Sequence, residues 1–155
     1  MKAEHINPFI NATTNVLKTM AMTSVTPGKP AIKTDNKTFG EVTGVIGLMG
    51  ENVVGNMIVS FDGPSILSIV SRMLGETFTE INKDVVDAVG EITNMICGGA
   101  KTEFAEMGLG IGMASPMMVT GKDIELSQLA KALTISMPFD TPEGRFVIEA
   151  NLHVK

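Results

Sequence analysis

Residues 84–107 read DVVDAVGEITNMICGGAKTEFAEM, the longest strongly periodic segment of the chain. Val85, Val89, Ile92, Ile96, Ala100, Phe104 and Met107 recur every three or four positions. This is the spacing of an amphipathic helix at roughly 100° per residue, so that stripe faces a core. The other side of the same helix carries Asp84, Asp87, Glu91, Asn94, Gly98 and Lys101, with Gly90 alongside. Gly costs about 1 kcal/mol against Ala in a helix interior and Asn is also a poor helix former, so this face is unusual for a merely solvated one, although spacing alone favours a solvated face by about two to one. Such a face suits the close approach of another molecule.

Asn82 is placed to cap this helix, and Asp84 and Asp87 near its start oppose the positive end of the helix dipole, which explains both acids without any site. Upstream, a first helix is expected from Asn7 as cap with Pro8 at its first position, laying Phe9, Ile10, Thr13, Val16, Leu17 and Met20 on a sheet. Residues 22–35 are rich in β-branched side chains but broken by Pro27-Gly28 and Pro30, which predicts an edge strand with a bulge or turn. Residues 40–50 and 52–61 read as an antiparallel hairpin, and glycines 44, 47 and 55 predict that a helix or another backbone lies close to it.

A short helix follows, capped by Asp62, ended by Gly75, and burying Ile66, Ile69, Val70, Met73 and Leu74. After Met107, residues 113–120 read as a strand entered through Ser115-Pro116, residues 122–128 as a polar loop, and residues 131–139 and 145–154 as a closing hairpin. In its second strand Phe146, Ile148, Ala150, Leu152 and Val154 alternate to one side, the pattern of a half-buried strand. Helix-then-strands occurs twice, a faint internal duplication. The expected architecture is α+β, three helices on an antiparallel sheet of about six strands, in one domain spanning residues 1–155.

Composition narrows the function. A chain of 155 residues buries roughly 70% of its unfolded surface and needs no metal or disulfide to fold. Its single cysteine, Cys97, excludes an internal disulfide and a Cys-cluster zinc site, and reads as a small packing residue. No apolar run reaches the length of about 20 residues that spans a membrane, and no basic-then-apolar leader begins the sequence, so a cytoplasmic protein is expected. A net charge of −5 and the absence of a basic stripe disfavour nucleic acid. The twelve methionines sit mostly at periodic positions among Leu, Ile and Val, as core filling, with Met117 and Met118 less clearly so.

The spacing Asp87-x3-Glu91-x2-Asn94 resembles the helix motif of the chemotaxis phosphatase family of CheC, CheX and FliY, in which an Asp or Ser is followed by Glu-x2-Asn and later by a Pro. Pro116 stands in that later place, with twenty-one residues between it and Asn94, slightly closer than the family spacing. A second Glu-x2-Asn, Glu4 to Asn7, is a chance match, because Pro8 suits the first helical turn and leaves Glu4 outside the helix. The likeness extends over nearly the whole chain, including INPFINAT and VLKTM near its start, and is strongest to the CheX members, with one site rather than two.

The resemblance implies a partner, a phosphorylated response regulator of the CheY type, and hydrolysis of that partner's aspartyl phosphate. The regulator brings the acyl phosphate and its Mg²⁺; this chain binds no cofactor of its own. Glu91 is implied to pair with a lysine of the regulator's active site. Asn94 has the chemistry to hold a water in line, since its carbonyl accepts and its NH₂ donates. Asp87, Gly98 and Lys101 complete the partner-binding face, and the family further implies a homodimer, for which sheet edges offer a route. Two other functions compete: a non-catalytic docking module for a regulator or flagellar switch, and a metal enzyme using Asp84, Asp87, Glu91 and a histidine. The second lacks any HExxH or ExxH pattern, and no Ser-His-Asp order or GxSxG elbow appears.

Overall fold

The computed structural model describes residues 3–126 and 133–154. Along the chain run α1 (Asn7–Ala21), β1 (Thr26–Pro27), β2 (Ala31–Ile32), β3 (Val42–Met49), β4 (Val53–Phe61), α2 (Gly63–Leu74), α3 (Lys83–Glu106), β5 (Gly112–Met113), β6 (Met117–Thr120), β7 (Ile135–Asp140) and β8 (Arg145–Val154). The sheet is antiparallel, in the order β1-β7-β8-β4-β3-β5, with β2 also on β7 and β6 also on β3. Eight strands replace the expected six because residues 22–35 give two short pieces and residues 113–120 break at Ala114–Pro116. The closing hairpin begins at Ile135; residues 131 and 132 of the expected strand, and 127 and 128 of the expected loop, lie outside the described residues.

The caps hold α2 and α3 where the sequence places them. Asn82 accepts a hydrogen bond from Val85 N–H at 3.0 Å. Asp62 accepts from Ser65 N–H at 2.8 Å and from Arg145 N–H at 2.9 Å, joining the start of α2 to β8, and Gly75 closes α2 at φ 70°. Asn7 does not cap α1. A 3₁₀ turn over Ala3–His5 leads straight into the helix, Ile6 already has helical dihedrals, and Asn7 is the first helical residue. The chain is thus already wound before the expected start, and no side chain caps it.

Phe9, Thr13, Val16 and Leu17 of α1 are buried, whereas Met20 is exposed, as are Leu74, Met107 and Val154 at the ends of their elements. Contrary to expectation, the closest packing of α1 is on α3, where Ala12 lies 3.0 Å from the place a side chain at Gly99 would take. Phe9 meets Phe104 edge-on at 5.4 Å between ring centres. The central core is formed by Val42, Ile46, Met57, Val59, Phe61, Phe146 and Ile148 from the sheet against Ile66, Ile69, Val89, Ile92 and Ile96 from the helices.

β8 is not half-buried. Val147, Glu149 and Asn151 on its other side are buried as well. The segment 31–39 crosses that side, tied to residues 124–126 by Thr38 N–H to Ile124 O and Leu126 N–H to Asn36 O. Lys33 Nζ reaches across to Glu149 Oε2 and to Lys37 O, so the polar alternation in the sequence reflects a second covered face rather than solvent.

Burial pushes the Glu149 carboxyl above its ordinary value of 4.5, and the opposing pull of Lys33 does not undo this. A carboxyl that holds its proton more tightly when folded adds stability below its unfolded pKa and loses that contribution as pH rises through the folded value. The wild-type melting temperature, less that of Glu149→Gln, is expected to fall as pH is raised upward from 4.5; a difference independent of pH would contradict the shift.

Candidate functional site

The site is one face of α3. Burial of Val85, Val89, Ile92, Ile96, Ala100 and Phe104 fixes the helix's rotation. Its height above the sheet is fixed at Gly44 of β3. A Cβ there would stand 2.4 Å from Thr93 Oγ1, so only glycine lets the helix sit this close. Thr93 is fully buried between Glu91 and Asn94 in sequence, and its hydroxyl donates back to Val89 O at 2.7 Å. The expectation that glycines 44 and 55 mark close neighbours holds, the second against the backbone of Asn151, while Gly47 makes only ordinary contact with Ala114.

With the helix so held, Glu91 is exposed and Asn94 half-exposed. They lie three residues apart, about 4.5 Å along the axis on one side. Among the described residues neither side chain enters a hydrogen bond or an ion pair. Asp87 is also exposed but engaged: Lys83 Nζ donates to its Oδ2 at 2.8 Å, and that bond and charge hold Lys83 above the usual lysine range. Lys101 is exposed on the same face. Next to it Cys97 is buried, and desolvation pushes its thiol up to about 11, which makes it a packing residue rather than a nucleophile.

The two helix glycines part ways. Gly90 is buried with Met118 Sδ at 3.5 Å from its virtual Cβ, an internal contact, whereas nothing lies within 4 Å of the position a Gly98 side chain would fill. Gly98 therefore leaves open surface beside Asn94. Pro116 is half-buried just before β6, which pairs with β3 and brings Met118 to α3, so the residues after the helix return to its flank. Met117, the neighbour of Met118 and set apart in the sequence as less clearly core filling, is 54% exposed at that edge. Among the described residues no group of three or more His, Cys, Asp or Glu could hold a metal ion, and no described helix is long and apolar enough to cross a membrane.

The structure is thus an α+β protein, an antiparallel sheet carrying a helix face on which one carboxylate and one carboxamide, those of Glu91 and Asn94, have no hydrogen bond or ion pair among the described residues. The sequence profile described as chemotaxis phosphatase CheX matches residues 42–140. The chain therefore belongs to the chemotaxis phosphatase CheX family, and phosphatase is the enzyme class that this membership supports.

Chemotaxis protein CheX from Vibrio vulnificus is 42% identical, with a TM-score of 0.91 over 97% of this chain and 100% of that one. A CheC-like superfamily protein from Shewanella sp. PV-4 is 40% identical, with a TM-score of 0.92 over 99% of each chain. The CheY-P phosphatase CheX of Thermotoga maritima is 24% identical over 87% of each chain. The CheX of a CheX–CheY–BeF3–Mg²⁺ complex from Borrelia burgdorferi, also 24% identical, shares the fold at a TM-score of 0.80 over 99% of each chain.

If Gly44 sets the height of α3, Gly44→Ala is expected to cost about 1–3 kcal/mol, as overpacking does. Adding Thr93→Ala removes the atoms in the way, so the double variant should be no less stable than Thr93→Ala alone in urea unfolding. Simple addition of the two single costs would show that this contact does not fix the helix.

Proposed function

We propose that this chain accelerates hydrolysis of the aspartyl phosphate of a CheY-type response regulator in the cytoplasm, with Asn94 positioning the attacking water and Glu91 anchoring an active-site lysine of the regulator. One observation carries the reading: in a member of this family, Glu91 and Asn94 project from one face of α3 with no hydrogen-bond or ion-pair partner among the described residues. The T. maritima relative bears the name CheY-P phosphatase, and the Borrelia relative is solved together with CheY, BeF3 and Mg²⁺.

Phosphoryl transfer is catalysed mainly by positioning and charge stabilisation, and little covalent chemistry is left to the protein. The regulator supplies the acyl phosphate and the Mg²⁺. Asn94 accepts a hydrogen bond from water through its carboxamide oxygen and donates through its NH₂ toward a phosphoryl oxygen, as a GTPase glutamine orients its water. No general base of this chain is required. Glu91 binds the regulator's lysine, fixes the register of α3 on the partner and draws that lysine away from the phosphoryl group. Gly98 lets the partner's backbone approach beside Asn94, and Asp87 and Lys101 flank the contact, Asp87 only after giving up its bond to Lys83.

The active species in this reading is a homodimer. β1 ends the sheet on one side and short β5 and β6 on the other, and the exposed Met117 and Met49 lie at the second edge. Unpaired strand backbone beside apolar side chains is a route to self-association. Light scattering on the eluting protein is expected to give twice the chain mass.

Decay of a radiolabelled phospho-aspartyl regulator tests the reaction. Wild type is expected to speed it, Asn94→Ala to lower turnover by about 10²-fold or more with docking retained, and Glu91→Ala to weaken docking and turnover together. Unchanged turnover of Asn94→Ala at saturating regulator would rule out the water-positioning role. Binding with no acceleration by wild type would make the chain a docking module instead.

A further inference from the structure

Asn94 carries the only carboxamide of α3, and among the described residues no hydrogen bond fixes its direction. Positioning a water in line requires that direction to be held, yet an asparagine has several staggered χ1 wells and a broad χ2. With no polar partner in the chain, the restraint has to come from packing. Helix geometry says from which side. At roughly 100° per residue, Asn94 is turned about 60° from Glu91 and only about 40° from Gly90. Glu91 is exposed, Gly90 is buried and Asn94 is intermediate, so Asn94 stands at the border of the open face on the Gly90 side.

Helical side chains lean toward the N-terminus and cover the turn before their own Cα, which for Asn94 is the turn of Gly90. Met118 Sδ and Cγ come within 3.5 and 4.0 Å of the place a Gly90 Cβ would take. Met118 gets there because β6 sets it opposite Gly44 of β3, the residue that seats Thr93. Helix and sheet thus mesh on two neighbouring strands, Thr93 on Gly44 and Gly90 on Met118. Met118 is half-buried and packs on the core, and a long unbranched thioether fits an irregular gap. We propose that Met118 is a positioning residue for the phosphatase reaction, its side chain walling the β6 side of Asn94 and limiting the carboxamide to the orientation that holds the water. The proposal rests on the role given to Asn94 above. A Cβ at residue 90 would meet Met118 in ordinary contact, so Met118, not Gly90, carries the effect.

Two measurements on the full chain test this. In the decay assay of the phospho-aspartyl regulator, Met118→Ala and Met118→Val are both too short to reach Gly90, and valine suits a strand, so that variant remains informative if the alanine one does not fold. Each is expected to lower kcat by about tenfold with KM unchanged, the split of an interaction made only in the transition state. Met118→Leu, of similar volume, is expected to recover most of kcat. The second measurement needs no regulator. ¹⁵N relaxation of the Asn94 side-chain amide is expected to give a lower order parameter in the two short variants than in wild type, with the α3 backbone amides unchanged. Unaltered kcat in both short variants, a rise in KM alone, an unchanged Asn94 order parameter, or loosening along the whole α3 backbone would each overturn the proposal. No acceleration by wild type would count against the reaction itself, and the relaxation result would still decide whether Met118 holds Asn94.

Discussion

The seat of α3 on β3 is the constraint from which the rest follows. Where Thr93 meets Gly44 the helix approaches nearer than any residue with a Cβ allows, and Glu91 and Asn94 lie on the face turned away from that contact. The buried apolar stripe fixes the rotation of the helix, and the buried threonine set against a glycine fixes how close to the sheet it sits. Preorganisation of this kind matters most to a site whose contribution is geometry rather than reactive chemistry.

The same constraint explains how few groups the chain supplies. Asp87, the acid nearest the motif, is held by Lys83 and by its place in the first turns of the helix, and Cys97 is buried and protonated. Between Asp87 and Gly98 on that face, the groups with no hydrogen bond or ion pair among the described residues are the carboxylate of Glu91 and the carboxamide of Asn94. A carboxamide is a poor base but presents an acceptor and a donor in one plane, and so suits orienting a water that a neighbouring metal and phosphoryl group already activate. In the proposed reaction the electrostatic part resides in the regulator, and the helix supplies only positioning.

What could be read from the sequence was what is local. Asn82, Asp62 and Gly75 act within four residues of themselves, so caps and terminators were legible, as were the hairpin of residues 40–61 and the polar face of α3. Apart from Asn7, where a turn just before the helix intervenes, the errors come from partners distant in sequence. Asn7 reads as a cap until the preceding 3₁₀ turn is seen, and the alternation in β8 reads as half-solvated until the crossing segment is seen, sequence separations of over a hundred residues from Lys33 to Glu149 being invisible to a pattern. Gly90 and Gly98 were indistinguishable in the same way: one meets Met118 from a later strand and the other meets nothing.

The fold also shows how the two halves of the apparent repeat differ. The order of elements repeats, a helix followed by β1 to β4 and a helix followed by β5 to β8, so α1 is the counterpart of α3 in the chain. Yet α1, from Asn7 to Ala21, contains no carboxylate, and Asn11 on its outer side already donates to Glu103 of α3 at 3.1 Å. An amide spent on a neighbouring helix cannot also hold a water, and without an acid three residues before it there is nothing to grip a partner's lysine. The first helix has instead been given over to packing, with Phe9 on Phe104 and Ala12 on Gly99 bracing α3 from the side away from β6. The apparent duplication thus divides its labour: α1 packs along α3, and α3 carries the face with Glu91 and Asn94.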